Sequence, residues 1–374
     1  MRQSTPEPAR LRISTGRYGA EPMRSSTSPS LRVIDMHTAG EPVRIVESGY
    51  PPLAGATLLE KRRDARDRLD HLRRRLMLEP RGHGGMYGVI PTAPSHPEAA
   101  LAVLFMHQEG YSTMCGHATI AIGRWLLDSG RLTTTAGHAS FSLETPCGLV
   151  RVEVTRGDAE ASPLVTFESV PSYASHLDQS LAVPGHGTVR FDVAYGGAYY
   201  AILPASRLGL PLMTTPLEKL LQAGIAITNA ARATLRISHP FEPDLGFLYG
   251  TLLTDDAELG SSAGVPSHNL CIFGEGQVDR SPTGSGVTAR FALAAARGRL
   301  EVGQSQEVRG LSGHGFVGTL ASIEPSSSGP AARVKVAGRA YYAARSEIVA
   351  EADDPFMNGF NLPRHFGELG PGRQ

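Results

Sequence analysis

The stretch Cys115-Gly116-His117-Ala118-Thr119 begins a helical pattern rich in Ala, Ile and Leu that ends at Gly130-Arg131-Leu132. A second stretch, Thr283-Gly284-Ser285-Gly286-Val287, begins a similar pattern that ends at Gly298-Arg299-Leu300. The glycines at 116 and 284 are 168 positions apart, and so are the two Gly-Arg-Leu triplets. A solenoid repeat has a period of about 20–50 residues, so this offset predicts two similar halves of one molecule instead.

An alternating strand pattern follows each of these predicted helices. The first is Leu149-Val150-Arg151-Val152-Glu153-Val154, after a turn at 145–148, and the second is Phe316-Val317-Gly318-Thr319-Leu320, after a turn at 312–315. Alternation is typical of antiparallel or mixed sheets and disfavours a doubly wound parallel sheet. We therefore predict an α/β (α+β) fold with two pseudo-symmetric domains, each a mixed sheet around a central helix, and a cleft between them.

The chain divides into four predicted segments. Residues 1–30 are rich in Ser, Thr, Pro and Arg, which predicts a disordered tail; the alternative, a transit peptide, is disfavoured by four prolines. The N-terminal domain covers 31–178 and is completed by about 338–352, and the C-terminal domain covers 179–337. Residues 356–374 form an irregular tail, and surface loops are predicted at 261–267 and 326–330.

A charged helix is predicted over residues 58–78. Apolar side chains recur along it at helical spacing, namely Ala65, Leu69, Leu72 and Leu76. Its many arginines could indicate nuclear import or RNA binding. Because acidic residues are interleaved with them, we interpret the arginine-rich face as a solvated surface.

Composition excludes several classes of function. The chain has 374 residues, and its 36 Lys and Arg balance 36 Asp and Glu, so a strong basic excess for nucleic-acid binding is absent. No apolar run approaches the ~20 residues that a membrane span needs. The three cysteines, Cys115, Cys147 and Cys271, form neither a disulfide framework nor a zinc motif, which favours a reducing, cytoplasmic location.

The starts of the two central helices predict an anion site. Free N–H groups and the positive end of the helix dipole attract a carboxylate, and Gly116 and Gly284 let the backbone approach it closely. Two opposed helix starts would hold a small carboxylate with one reactive side chain on each flank. The alternative is that both glycines are only caps.

Cys115 is the most reactive candidate, because the dipole of the following helix would lower the pKa of its thiol. A thiolate here could be a nucleophile or a base that removes a proton from carbon. Cys147 and Cys271 are interpreted as packing residues. Asp279 could bind an ammonium nitrogen or serve as a loop or cap residue, and no metal motif is present.

Two stretches resemble the active-site motifs of the proline racemase family: Met114-Cys115-Gly116-His117-Ala118 and 279–286 (Asp-Arg-Ser-Pro-Thr-Gly-Ser-Gly). Further similar stretches are Asp35-Met36-His37-Thr38, 79–83, 194–197 and Leu248-Tyr249-Gly250-Thr251. The resemblance covers almost all of residues 31–357. It implies a fold like that of diaminopimelate epimerase, with the ligand between the two domains.

The resemblance also implies roles for individual residues. Cys115 would be the catalytic base, and a set of five residues would hold the substrate carboxylate and ring nitrogen: Gly116, His117, Asp279, Gly284 and Ser285. Racemases and 4-hydroxyproline epimerases of the family carry a second cysteine where this sequence has Thr283. That departure resembles the branch that dehydrates trans-3-hydroxy-L-proline.

The chemistry follows from the loss of one thiol. Racemisation needs an acid and a base on opposite faces of the α-carbon, and a threonine hydroxyl is a poor acid near neutral pH. One-faced proton abstraction remains, and a β-hydroxyl can then leave as water without any cofactor. The alternatives are a proline racemase or hydroxyproline epimerase, a binding protein without turnover, and a cysteine hydrolase. A homodimer is an expectation from the size of the chain.

Overall fold

The computed structural model describes residues 30–157, 162–260, 264–326 and 329–362. The predicted tail at 1–30 lies outside the described residues except for Ser30, and so does the 363–374 part of the predicted C-terminal tail.

The first half of the chain forms a mixed sheet with three helices. Its strands are β1 (Leu31–Thr38), β2 (Glu41–Ser48), β3 (Tyr87–Thr92), β4 (Leu101–His107), β5 (Gly110–Ser112), β6 (His138–Thr145), β7 (Gly148–Thr155) and β8 (Leu164–Glu168). Its helices are α1 (Leu58–Arg68), α2 (Asp70–Met77) and α3 (Gly116–Asp128).

The second half has a related set of elements. Its strands are β9 (Tyr173–Val183), β10 (Gly187–Tyr195), β11 (Tyr199–Pro204), β12 (Leu248–Thr254), β13 (Ser267–Phe273), β14 (Gln277–Val278), β15 (Ser305–Arg309), β16 (Gly315–Ser326) and β17 (Gly329–Gly338). Its helices are α4 (Leu217–Thr234) and α5 (Gly284–Ala296). The last strand, β18 (Ala340–Ile348), pairs with β1 of the first half.

The same order of strand pairing occurs in both halves. In the first half, β1–β2 is antiparallel, β2–β3 parallel, β3–β4 antiparallel, β4–β6 parallel and β6–β7 antiparallel. In the second half, β10–β11, β11–β12, β12–β13, β13–β15 and β15–β16 repeat that order. β8 pairs with β17 and joins the halves. The predicted α/β class with mixed sheets is confirmed, whereas the domain boundary at 178, which β9 spans, stays a prediction.

Helices α3 and α5 occupy the centre of their halves. Each has 13 residues, of which 11 in α3 and 10 in α5 are buried. A helix that is apolar on all sides can only be accommodated inside a protein, and here the sheets wrap around both. Gly130 and Gly298, just past the helix ends, have φ of 70° and 66°, the left-handed conformation predicted for them.

The charged segment at 58–78 differs from its prediction in two ways. It forms two helices that are separated at Leu69, whose φ of −119° and ψ of 12° interrupt the helical hydrogen bonding. The apolar face is buried as expected, but Arg73 and Arg75 are also buried, each only 6% exposed. Their guanidinium groups reach backbone carbonyls, at His107 and Met357, which helical periodicity could not reveal. The solvated-face interpretation is therefore wrong for these two arginines.

Two predicted loops are shorter than expected. β16 continues to Ser326 and β17 begins at Gly329, and these two residues pair, so the described part of the segment 326–330 belongs to strands; 327–328 lie outside the described residues. Ser267 already belongs to β13, and 261–263 lie outside the described residues. In both places strand pairing, which local composition does not encode, extends the sheet into polar sequence.

No helix in the described part of the chain is long and apolar enough to cross a membrane.

Candidate active site

Helices α3 and α5 begin directly against each other. A Cβ added to Gly116 would lie 2.6 Å from the Cα of Gly284, and a Cβ added to Gly284 would lie 2.7 Å from the Cα of Gly116. The ring of Phe167 packs against both positions, at 3.0 and 3.2 Å from the same added atoms. Carbon atoms normally pack at about 3.5–4.0 Å. Both residues must therefore be glycine because the two helix starts are in contact, and not only because they cap the helices.

A small cavity of about 20 Å³, roughly the space of one water molecule, lies at this junction. All seven site residues predicted from the sequence line it: Cys115, Gly116, His117, Asp279, Thr283, Gly284 and Ser285. Seven other residues complete the wall: Glu41, Tyr87, Met114, Tyr200, Tyr249, Cys271 and Phe273. Both halves of the molecule contribute to it.

Cys115 is the N-cap residue of α3 and is 5% exposed. Its Sγ accepts a hydrogen bond from the backbone N–H of Ala118 at 3.4 Å and lies 3.2 Å from Nδ1 of His117. Burial raises the pKa of the Cys115 thiol well above its usual value, and the Ala118 N–H opposes this shift only in part. The expected lowering by the helix dipole is therefore outweighed by desolvation, because the sulfur lies in a site without bulk water.

His117 is the imidazole neighbour of that thiol. Burial lowers the pKa of its imidazole, while the Asp279 carboxylate opposes the shift. Its ring packs edge-on against the ring of Tyr87, with centroids 4.9 Å apart. A spacing of two residues does not by itself predict that a thiol and an imidazole are in contact.

Thr283 is the N-cap residue of α5, but it does not cap that helix with its side chain. Its hydroxyl donates a hydrogen bond to Oδ2 of Asp279 at 2.8 Å, and its N–H donates to Oγ of Ser281 at 3.1 Å. Its φ of 63° is rare for a β-branched residue and costs of order 1–3 kcal/mol. The surroundings of Thr283 thus hold it in a strained conformation with its hydroxyl turned towards Asp279.

Glu41, at the start of β2, was missed from the sequence and is 1% exposed. Its Oε2 accepts hydrogen bonds from the backbone N–H and a guanidinium N–H of Arg280, at 2.7 and 3.2 Å. Burial, and secondly repulsion from Asp279, raises the pKa of the Glu41 carboxyl well above its usual value. The one indication of Glu41 in the sequence was its position just after segment 35–38, one of the stretches that resemble the proline racemase family.

Cys271 packs in a hydrophobic cluster, as predicted, and it also faces the cavity, which was not predicted. It is fully buried in β13 and lines the cavity. Burial, followed by repulsion from Asp279, raises the pKa of its thiol well above its usual value, and the neighbouring Thr283 side chain opposes this in part. Cys147 does not line the cavity; its Sγ contacts the Thr145 hydroxyl at 3.2 Å. All three thiols are free.

Aromatic side chains close the remaining wall. The hydroxyl of Tyr200 hydrogen-bonds the Ser285 hydroxyl at 2.7 Å, and Tyr249 stacks on Phe273 with centroids 5.2 Å apart. Tyr249 belongs to a stretch that the sequence singled out, whereas Tyr200 carried no signal. Within the described residues, no group of three or more His, Cys, Asp or Glu side chains is placed to bind a metal ion.

Comparison with known proteins gives a consistent result. The family model described as proline racemase matches residues 33–361. The trans-L-3-hydroxyproline dehydratase of Pongo abelii and the trans-3-hydroxy-L-proline dehydratase of Homo sapiens are each 45% identical over 346 residues, covering 91% of this chain and 97% of theirs.

Two solved structures are similar over most of their length. A probable proline racemase from Agrobacterium radiobacter K84 with bound carbonate has a TM-score of 0.82 at 28% identity, covering 89% of this chain and 96% of its own. A hydroxyproline epimerase from Agrobacterium vitis with bound trans-4-OH-L-proline has a TM-score of 0.82 at 26% identity, covering 90% and 97%.

Proposed function

Because the chain belongs to the proline racemase family, we propose that it is a trans-3-hydroxy-L-proline dehydratase. The reaction removes the α-proton and the 3-hydroxyl of the substrate as water and yields pyrroline-2-carboxylate. The observation that carries the proposal is the unequal pair at the two helix starts, a thiol at Cys115 and a hydroxyl at Thr283, on the wall of one cavity. The dehydratase relatives support the same assignment.

The substrate carboxylate binds at the starts of α3 and α5. The first N–H groups of a helix have no partner within the helix, and the dipole adds a partial positive charge there. The contact between Gly116 and Gly284 brings the two starts together. The same groups stabilise the negative charge that develops on the carboxylate side of the α-carbon as the proton leaves.

The ring nitrogen of the substrate binds beside Asp279 and Glu41. Both carboxyl groups line the cavity, and their mutual repulsion contributes to the raised pKa of Glu41. A positively charged ring nitrogen relieves that repulsion. It also favours the thiolate form of Cys115, because an opposite charge nearby lowers a thiol pKa.

Cys115 is the base. Its thiolate takes the α-proton, the C2–H electron pair forms the C2=C3 double bond, and the C3–O bond breaks. In trans-3-hydroxy-L-proline the α-hydrogen and the hydroxyl are on the same ring face, so the Cys115 thiol can return that proton to the departing hydroxyl and release water. The remaining enamine tautomerises to the cyclic imine by moving its N–H proton to C3.

Thr283 positions Asp279. Its hydroxyl hydrogen is already donated to Oδ2 of Asp279, which supports a positioning role over proton donation. A threonine alkoxide is too basic to act as the second base of a racemase. The protein therefore catalyses elimination in preference to inversion.

The location and the assembly are part of this proposal. Three free thiols favour a reducing, cytoplasmic compartment. A homodimer is expected for an enzyme of this size, and light scattering after gel filtration measures it directly.

The experiment is incubation with trans-3-hydroxy-L-proline without added metal or nucleotide, followed by borohydride reduction and detection of proline. Cys115→Ser should lower the rate by about 100-fold or more, because a serine hydroxyl is a much weaker acid than a thiol. Cys147→Ser, which changes a thiol outside the cavity, is the matched control. Near-full activity of Cys115→Ser, or racemisation of L-proline with no imine from the hydroxylated substrate, would overturn the proposal.

A further inference from the structure

A second and larger cavity, of about 410 Å³, lies beside the candidate active site. The two cavities share Tyr249, and His107 packs edge-on against Tyr249 and Phe273 with ring centroids 6.2 and 5.7 Å away. Helices α1 and α2 form one side, and α4 with the ends of β12 and β13 forms the other. A ligand in this cavity would therefore touch both halves of the molecule and one wall of the active site.

Four arginines line this cavity, which we call the arginine cavity: Arg62, Arg66, Arg73 and Arg232. Two of them are neutralised by acidic neighbours. Arg73 forms a two-point ion pair with Asp70, at 2.6 and 2.8 Å, and Arg66 pairs with Asp67 at 2.7 Å.

The other two arginines, Arg62 and Arg232, have no ion-pair partner within the described part of the chain. Arg232 donates to the backbone carbonyls of Leu248 and Tyr249, both at 3.0 Å. The one further carboxylate in the lining, Glu109, already accepts hydrogen bonds from Gln277 and from the backbone N–H of residue 275. Four guanidinium groups thus stand against three carboxylates, Asp70 and Glu109 in the lining and Asp67 beside Arg66, so the arginine cavity carries an excess of positive charge.

Arg62 has a side-chain donor that no described residue pairs with. One of its guanidinium nitrogens donates to the Tyr111 carbonyl at 2.6 Å, whereas its Nε is buried and has no hydrogen-bond partner among the described residues. Burial, and repulsion from Arg66 and Arg63, lowers its pKa. Buried N–H groups are nearly always hydrogen-bonded in native proteins, so the guanidinium group of Arg62 has donor capacity that the described residues leave unused. A guanidinium group matches the geometry of carboxylate and phosphate oxygens.

We propose that the arginine cavity is a second binding site, specific for a small oxyanion held by Arg62. The oxyanion is either free phosphate or the carboxylate of the substrate on its way to the active site, whose cavity of about 20 Å³ does not accommodate a ring without movement of its wall. Tyr249, common to both cavities, is the wall through which occupancy of the outer site reaches the inner one.

The first experiment measures binding of inorganic phosphate by calorimetry and does not depend on the proposed function. Wild type should bind one phosphate, and Arg62→Gln should weaken binding by about tenfold or more, the value of one lost charged hydrogen-bonding group. Arg68→Gln is the matched control, because Arg68 is on the same helix, pairs with Asp64 and does not line the cavity. Since Arg62 is partly buried, Arg66→Glu at the exposed rim is a second variant, and it should also weaken phosphate binding.

The second experiment identifies the source of the oxyanion from the effect of phosphate on dehydration by wild type. Phosphate that raises KM at constant kcat competes with the substrate for the arginine cavity, which assigns the site to the substrate carboxylate. Phosphate that lowers kcat binds beside bound substrate, which assigns the site to a free anion. Either effect should be lost in Arg62→Gln. The proposal is wrong if wild type binds no phosphate, or if Arg62→Gln and Arg66→Glu bind it as wild type does.

Discussion

Replacing Gly116 by alanine should separate the two helix starts and damage both stability and catalysis. The new Cβ would lie 2.6 Å from the Cα of Gly284 and 3.2 Å from its carbonyl carbon, and neither backbone atom can turn aside as a side chain does. Because carbon atoms pack at about 3.5–4.0 Å, the helices must move apart by roughly 1 Å. Overpacking of this kind costs about 1–3 kcal/mol, and a misplacement of about 1 Å near the reacting atoms costs about 100-fold in rate.

The assay combines thermal unfolding with kcat/KM for imine formation from trans-3-hydroxy-L-proline. A loss of about 1–3 kcal/mol lowers Tm by roughly 1–4 °C, because an unfolding entropy of about 2.1 cal/mol/K per residue corresponds to about 1.3 °C per kcal/mol for a chain of 374 residues. Gly84→Ala is the control, since a Cβ at Gly84 meets nothing within 4 Å. A Gly116→Ala protein with the Tm and kcat/KM of wild type would refute the contact between the helix starts and the substrate site built on it.

Three further predictions concern individual groups of the site. Thr283→Cys should restore a second thiol and give measurable α-proton exchange on L-proline, followed by NMR in deuterated water; no exchange would mean that the lost thiol is not the whole difference from a racemase. Because burial raises the pKa of the Cys115 thiol, kcat/KM should still be rising with pH between 7 and 9, and a plateau below pH 8 would contradict this. Since the pKa of Glu41 is raised on folding, the folded state holds its proton to higher pH than the unfolded state, and stability is lost as pH rises from about 4.5. Glu41→Gln should therefore gain stability relative to wild type over this range in denaturant titrations, and parallel curves would exclude the shift.

Much of the architecture was readable from local patterns. The repeat at 168 residues located α3 and α5 and their glycine ends, and the alternation of apolar residues indicated mixed sheets. These features depend on side-chain periodicity and on backbone conformation over a few residues. Such short-range properties are determined by the sequence itself.

The thiol and the hydroxyl at the helix starts, together with Asp279, were also located from the sequence, because motifs at a helix start have a predictable position. The direction of the pKa shift of the Cys115 thiol could not be predicted in this way. The helix dipole is a local effect, whereas desolvation depends on everything packed around the sulfur. For the same reason the sequence could not distinguish Cys271, a cavity residue, from Cys147, which lies outside the cavity.

Tertiary structure alone decided which distant residues meet. Glu41 reaches Asp279 and Arg280 across more than half the chain, and the burial of Arg73 depends on backbone carbonyls over 30 residues away. Strand pairing between the halves sets these contacts, and the pairing is a collective outcome of packing the whole core. The sequence by itself therefore determined the duplicated elements and the side chains at the two helix starts, whereas the sheet order determined the walls around them and the arginine cavity beside them.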